Sequence, residues 1–542
     1  MFYFVSSWYS KSEKWNAEDS PWYRGGSPYA FDDTINQIRM FHAAGEQLEL
    51  MILSYAPGVR LFLHRQNLYP IPFWSAFDAI QGIHKKELGM LSYLELPWPR
   101  NIVWRNTPFA VVGFLNEKRY VQVEFGEEGR LLRLDYYDAE ERLHRRDSID
   151  DRGFCSSSLF YENGKPCKRE YYDADGVLQF TENVIAGDIV IAPKADTRFF
   201  HHTYSSLAAL VEEVVRCRFS QMNPDATVVV AANQLHNQMV LHARKGQTIG
   251  LSYFEERYDL EKREDLRHDL SDASFAVTDT EHAAKKIREQ ATEQFYVRDI
   301  SPFDTRLSLG RSQRIRELKI YMPVTDLEEE YLLEALKQVV SYMKGNPAVF
   351  LYLAARDERE YQWLTDAVKR TLMLCAIDNF GFCQEGCSVV CVNTKQGNIE
   401  AELQGTEEKA IAARVILITV RTEQDVIRRL DDVRLILDVR DQPDLYLQIA
   451  GISAGIPQVN YRFTRYVQHK KNGYIIQNIH YVTGALEYYL SELVHWNEAL
   501  VYCVKEIEKY TSGSLVSVWK MDTARPAEES FDYPLEEDEQ LV

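Results

Sequence analysis

Cysteine is scarce, with 8 in 542 residues. That excludes a disulfide scaffold and fits a reducing compartment. Lysine and arginine are outnumbered, 62 against 81 aspartates and glutamates, for a net charge of −19. Phosphate neutralisation needs a cation surplus, so nucleic acid is excluded as a bulk partner. Long apolar runs are missing. Met1-Phe2-Tyr3-Phe4-Val5 turns polar at Ser6-Ser7 with no cationic region before it, and the runs at 228–232 and 415–418 have strand length. None is long enough for a signal-peptide core or a membrane span, so a soluble, cytosolic chain is expected. No glycine-rich dinucleotide fingerprint follows the first apolar run and no P-loop motif occurs, which leaves those chemistries without support.

What is present is ample apolar mass: 45% of the chain is hydrophobic and 12% of the chain is aromatic. At roughly 150 residues per domain this supports three or four domains. The negative charge is uneven. Residues 527–542 carry Glu528, Glu529, Asp532, Glu536, Glu537, Asp538 and Glu539 without a lysine or arginine, a composition expected of a solvated, disordered end.

Strand and helix signals alternate over residues 1–108. Residues 2–5 read as a buried strand, Phe31-Asp32-Asp33-Thr34 opens a helix that Gly45 stops, and 48–55 is a second strand. Such alternation predicts a parallel sheet with helices on its faces. Residues 109–192 differ: they are rich in alternating β residues and contain a repeat. Glu127-Glu128-Gly129 through Asp135-Tyr136-Tyr137-Asp138-Ala139 recurs 35 residues later as Glu162-Asn163-Gly164 through Glu170-Tyr171-Tyr172-Asp173-Ala174. Both copies predict turn, strand, turn, strand, hence an antiparallel sheet extension. The helix–strand rhythm returns over 193–312, where thinning apolar runs between about 255 and 315 suggest an inter-domain connection. A second α/β set spans 313–505, with strands expected at 318–322, 349–354, 415–420, 434–439 and 445–450. Residues 506–526 read as a C-terminal return segment.

Several motifs invite chemistry. Gly451-Ile452-Ser453-Ala454-Gly455 has the spacing of a nucleophile elbow, but Pro457 leaves no room for the long helix that an elbow needs after its serine. A short helical turn closed by glycine and proline is the expected structure. Cys383, Cys387 and Cys391, with Cys375 upstream, lack a second ligand pair and are expected to be structural thiols rather than zinc ligands. His201-His202, His236 and His242 have no acidic or cysteine partner at metal spacing in the sequence. The segment Tyr461-Arg462-Phe463-Thr464-Arg465-Tyr466-Val467-Gln468-His469-Lys470-Lys471 is the most basic stretch, with aromatics interleaved. Its cations Arg462, Arg465, Lys470 and Lys471 are the candidate contacts for an anion or an anionic membrane. No metal and no cofactor are expected.

Residues 444–459, followed by Asn472-Gly473-Tyr474-Ile475, resemble the donor-site region of GT-B glycosyltransferases, which in that family reads as a strand, then E-A-x-A-x-G-x-P, then an N-G turn and a short strand. Trp496 matches the family's helix with a tryptophan near the chain end. The resemblance implies an α/β, GT-B-like fold of two facing Rossmann-like domains, here with the inserted β sheet in the first. Anchored on Gly455 and Pro457, the two acids of retaining members fall on Gln442 and Ala450. The first strand of the second domain, at Lys319-Ile320-Tyr321-Met322-Pro323-Val324-Thr325, leads into an acidic helix in place of the family's diphosphate-binding glycine, arginine and lysine.

A closer resemblance covers nearly the whole chain. Met1 to Val5 with Ser7-Trp8-Tyr9, Pro21-Trp22-Tyr23, Phe31-Asp32-Asp33-Thr34-Ile35-Asn36-Gln37-Ile38-Arg39-Met40-Phe41, Leu61-Phe62-Leu63-His64-Arg65-Gln66, residues 454–460 and residues 467–473 resemble the first accessory secretory proteins of Gram-positive accessory Sec systems. That resemblance implies a degenerate glycosyltransferase fold without activity. It also implies a cytosolic, peripherally membrane-associated complex with the second and third accessory secretory proteins. With the accessory Sec motor ATPase, such a complex would export a serine-rich-repeat glycoprotein adhesin as adaptor or chaperone. The alternative is an active GT-B glycosyltransferase modifying a serine-rich acceptor.

Overall fold

The computed structural model describes residues 1–11, 14–17, 21, 23, 31–254, 257–375 and 411–523. Its chain clusters into two units, Met1–Pro302 with the segment from Val518 on, and Phe303–Ser517. The acidic stretch 527–542 and the cysteines at 383, 387 and 391 lie outside the described residues.

The first unit begins with β1 (Phe2–Val5), β2 (Leu48–Ile52) and β3 (Phe73–Ser75). Ten antiparallel strands follow: β4 (Val103–Asn106), β5 (Ala110–Leu115), β6 (Lys118–Phe125), β7 (Leu131–Tyr137), β8 (Leu143–Ile149), β9 (Cys155–Glu162), β10 (Lys165–Tyr172), β11 (Leu178–Asn183), β12 (Ile189–Ile191) and β13 (Thr203–Tyr204). The unit then resumes its parallel sheet with β14 (Thr227–Ala231), β15 (Thr248–Tyr253), β16 (Phe275–Thr278) and β17 (Val297–Asp299), in the order β17-β16-β15-β14-β1-β2-β3. Because β1 is paired on both edges, by β2 and β14, and covered on both faces, all four of its residues are buried and no polar alternation survives. The charged stretch expected to be an inter-domain connection is instead sheet and helix as far as Asp299. Its strands of four and three residues are too short to stand out among the charged helices Arg263–Asp272 and Glu281–Arg288.

The inserted sheet is a sequential meander, and the 35-residue repeat is its unit: β6-β7-β8 and β9-β10-β11. Both copies turn at a pair with positive φ, Glu128-Gly129 (64° and 75°) and Asn163-Gly164 (51° and 75°). In the second copy that pair makes the two-residue turn matching the strand twist. Both copies turn again on an aspartate. Asp138 Oδ1 accepts the Glu140 and Arg142 amides at 3.0 and 2.9 Å, and Asp173 Oδ1 accepts those of Asp175 and Val177 at 3.0 and 2.8 Å. The sheet reaches beyond 109–192 at both ends, since β4 pairs with β5 and β13 with β12.

Between the two copies, the loop 150–153 ties the insertion to the parallel sheet's helices. Arg152, 1% exposed in its side chain, forks onto Asp150 (2.6 and 2.8 Å) and Asp78 (2.8 and 3.0 Å), and also donates to the Lys85 carbonyl at 3.1 Å. Asp151 Oδ2 accepts the amides of Arg60 and Leu61 at 2.7 and 3.1 Å, capping the first turn of helix Val59–Arg65 from the inserted sheet. Tyr171, Phe180, Ile189, Ile191 and Tyr204 of the late strands join the core of the parallel sheet. At the far end of the chain Trp519, 1% exposed, packs edge-on against Phe41 and Phe275.

The second unit is a six-stranded parallel sheet: β18 (Leu318–Pro323), β19 (Val349–Ala355), β20 (Val415–Thr419), β21 (Leu435–Asp438), β22 (Gln458–Asn460) and β23 (Gly473–Ile475), ordered β20-β19-β18-β21-β22-β23. This is the doubly wound order, which reverses between β18 and β21. Arg414 donates to the carbonyls of Met343, Asn346 and Val349, holding the end of helix Glu329–Gly345. Residues 445–450, expected as a strand, are the start of helix Leu445–Ala454. The apolar run is short enough to fit either element. The deciding residues flank it: Asp444 caps the start by accepting the Leu447 amide at 2.8 Å, and Gly455 closes the end at φ 70°.

Candidate functional site

In open α/β sheets ligands bind beyond the carboxyl ends of the strands where the strand order reverses. In the second unit that place is framed by the ends of β18 and β21, and what fills it is protein. Arg440, 6% exposed, forks onto Asp438 at 2.8 and 2.6 Å and reaches the Thr325 carbonyl at 3.4 Å. The Asp438 carboxylate also accepts the Asp444 amide at 3.0 Å. Burial alone would lower the Arg440 guanidinium's hold on its proton, but the adjoining Asp438 carboxylate outweighs it and raises the pKa. One buried ion pair therefore spans the crevice from the β21 side to Thr325, two residues past the end of β18.

Gln442 is exposed in the bend after this pair, and Ala450 lies within helix Leu445–Ala454. Neither offers a carboxylate. Gly455 and Pro457 follow the helix and set up β22. Around them the polar groups bond to one another: Gln458 Nε2 donates to the Gln448 carbonyl at 2.9 Å, and Gln448 accepts the Thr464 hydroxyl. Asn460, fully buried at the end of β22 and in register with Asp438, stands apart, with neither side-chain amide atom bonded among the described residues. After β18 the chain enters helix Glu329–Gly345, whose first turn presents Glu329 and Glu330. Two acids at a helix start disfavour a phosphate there.

The serine of the elbow-like motif is structural. Ser453 Oγ donates to the Ile449 carbonyl at 2.9 Å and accepts the Arg306 amide at 3.2 Å. Trp496 is buried, donating Nε1 to the Arg434 carbonyl at 2.8 Å beneath the Arg434 guanidinium. The Asn472-Gly473 turn is set from within: Asn472 Nδ2 donates to the Tyr466 carbonyl at 2.7 Å, and a Cβ on Gly473 would stand 2.2 Å from the Gln458 carbonyl oxygen.

The basic stretch lies beside this region. Its four cations are exposed but not equivalent. Arg462 is paired with Asp441, Arg465 donates to the Tyr466 hydroxyl at 2.8 Å, and Lys471 donates to Gln468 at 2.9 Å while lying over the Tyr502 ring. Lys470 sits at φ 57° in the tight turn before Gly473.

The corresponding reversal in the first unit, between β1 and β14, is also bridged by side chains. Asn233 donates to Ser7 Oγ at 2.8 Å, and Tyr9 OH meets His236 Nδ1 at 2.8 Å. Complete burial holds His236 neutral, with its pKa lowered to about 3. Nearby, burial and then the Asp33 charge raise the Asp32 carboxyl well above the usual carboxylate range, while Arg257 forks onto Asp33. The Asp438–Arg440 and Asn233–Ser7 bridges carried no sequence signal beyond their residue types. His202 meets Asp196 at the surface, and His242, without a partner in the sequence, acquires one in the fold.

Among the described residues no helix is long and apolar enough to cross a membrane. The family model of the accessory Sec system protein that is first of its accessory secretory set matches residues 1–524. The accessory Sec system protein of that family from Streptococcus gordonii is 32% identical over 535 residues, spanning 96% of this chain and 98% of its own. A crystal structure of accessory secretory proteins 1, 2 and 3 of Streptococcus pneumoniae contains a chain that superposes with a TM-score of 0.78 at 29% identity, covering 96% of this chain and 98% of that one. The pneumococcal O-GlcNAc transferase GtfA, solved with UDP and GlcNAc, superposes with a TM-score of 0.65 at 11% identity over 96% of this chain and 98% of its own, which shows a shared GT-B fold.

Proposed function

This chain belongs to the family of the first accessory secretory protein of accessory Sec systems, and from that premise we propose that it is a non-catalytic subunit of the export complex, built on a glycosyltransferase fold. The observation that supports the non-catalytic part is the Asp438–Arg440 pair reaching Thr325 across the crevice; the resemblance to retaining enzymes adds Gln442 and Ala450 at the positions it aligns with their acids. Sugar transfer from a nucleotide needs a carboxylate to hold the ribose and preorganised cations on the leaving diphosphate. Neither Gln442 nor Ala450 supplies such a carboxylate, and the helix that follows β18 starts with two glutamates. The partners we assign are the second and third accessory secretory proteins, as in the pneumococcal complex, with the accessory Sec motor ATPase and a serine-rich-repeat glycoprotein as the exported substrate. The place of work is the cytoplasm, at the inner face of the membrane.

Calorimetric titration with UDP-GlcNAc and UDP-glucose tests the first part. No saturable heat is expected below about 1 mM ligand, and no UDP release. Micromolar binding, or turnover with a serine-rich acceptor, would overturn it. Vesicle flotation tests the membrane part. Basic residues near an anionic surface contribute about 1 kcal/mol each. With Arg462 already paired to Asp441, reversing Arg462, Arg465, Lys470 and Lys471 together should weaken flotation with anionic vesicles roughly a hundredfold. Unchanged flotation would make the stretch an ordinary solvated loop.

A further inference from the structure

We propose that His242, His268 and Asp272 form a surface site for one divalent ion of the borderline class, zinc foremost. The three come from two helices of the first unit. His242 stands in the last turn of helix Asn237–Ala243, and His268 and Asp272 lie four residues apart on helix Arg263–Asp272. That spacing puts the latter two on one helical face. Their donor atoms and that of His242 lie within 4.8 Å of one another, with His242 Nε2 and Asp272 Oδ2 at 3.7 Å. Zinc bonds of about 2.0–2.2 Å in a tetrahedron separate donors by about 3.4 Å. Small rotations of three solvent-accessible side chains close the difference.

A second feature fixes the two helices that carry these donors. The buried Asp269, one residue after His268, accepts Asn237 Nδ2 at 2.8 Å, Gln238 Nε2 at 2.6 Å and the Tyr258 hydroxyl at 2.8 Å. Two of those donors open the helix whose last turn carries His242. The carboxylate therefore locks one helix to the other, and the relative placement of His242 against His268 and Asp272 is set before any ion arrives. Ligands held on rigid elements lose little on binding.

The donor set decides the class of ion. Two imidazoles and one carboxylate suit zinc, nickel, copper or cobalt, whereas magnesium and calcium require oxygen donors throughout. Three protein ligands leave one tetrahedral position to water. Each imidazole would bind through an unprotonated ring nitrogen.

The test is a zinc titration of the full chain against a chromophoric chelator, with cobalt absorption as the geometric readout. It compares the natural chain with the triple variant His242→Ala, His268→Ala, Asp272→Asn. The natural chain should bind one more equivalent than the variant, with micromolar affinity at about pH 7.5. Each single histidine variant should weaken that equivalent at least tenfold. Any zinc held by Cys383, Cys387 or Cys391 is present in both chains and cancels in the difference. The three residues are at the surface, and unchanged far-UV circular dichroism checks that the variants fold. Equal stoichiometry in the natural chain and the triple variant would overturn the proposal, as would a tight site indifferent to His242→Ala.

Discussion

Replacing Arg152 by alanine should destabilise the first unit by about 3–5 kcal/mol. The side chain is 1% exposed and satisfies three acceptor groups at once, the Asp150 and Asp78 carboxylates and the Lys85 carbonyl. Its removal leaves Asp150 buried and charged without a counter-ion, a condition far costlier than the pair itself is stabilising. Arg152→Lys should recover little, because an ammonium cannot fork onto two carboxylates. Arg152→Met combined with Asp150→Asn should recover part of the loss, since the orphaned charge goes with the cation while Asp78 keeps its ion pair with Arg60 at 2.8 Å. With two units in the chain, a single unfolding curve would mix transitions. Hydrogen exchange resolved to strands β8 and β9 and to helix Ala76–Gln81 is the appropriate measurement. Unchanged protection in Arg152→Ala would show that the loop 150–153 does not hold the inserted sheet in place.

Arg440→Ala should cost the second unit a similar amount, about 3–5 kcal/mol, by stranding Asp438 at 1% exposure. This variant also separates two reasons for the expected lack of donor binding. If occupation of the crevice by Arg440 were the whole obstacle, removing it would admit a UDP-sugar. If the lack of a carboxylate at Gln442 and Ala450, the positions that the resemblance aligns with the retaining acids, is decisive, the opened crevice stays inactive. The second result is expected: weaker protection of β18 and β21 by hydrogen exchange, and still no saturable heat with UDP-GlcNAc. Strong UDP-GlcNAc binding by Arg440→Ala would show a donor site merely plugged.

Much of the fold was legible because its signals are local. The buried strands at 2–5, 227–231 and 349–355 are apolar runs of strand length, and the 35-residue repeat announced four turns of the inserted sheet, two in each copy, through Gly129, Gly164, Asp138 and Asp173. The failures have physical causes. Residues 445–450 are apolar but for Gln448, so periodicity could not choose between helix and strand, and the choice rested with Asp444 and Gly455. Strands β16 and β17 are too short to register beside charged helices. The Arg152 cluster joins residues separated by up to 74 positions, and no pattern along the chain foretells which buried aspartate an arginine will meet. A sign was present nonetheless: Asp150-Asp151-Arg152-Gly153 is a charged tetrad set between the two copies of the repeat. His242 was invisible as a ligand for the same reason, since its partners lie 26 and 30 residues onward.

The packing of Trp519 against Phe41 and Phe275 carries a consequence for how the protein is made. The unit that starts with β1 lacks that closing ring until more than 500 further residues have been synthesised. At about 5–20 residues per second this is a wait of roughly 25–100 s on the ribosome. Phe41, and Phe275 once it is made, lack their final cover while the second unit, contiguous in the chain, emerges whole. The unit begun first is thus the one completed last, and a chain broken off before Trp519 exposes an apolar seam that quality-control proteases and chaperones recognise.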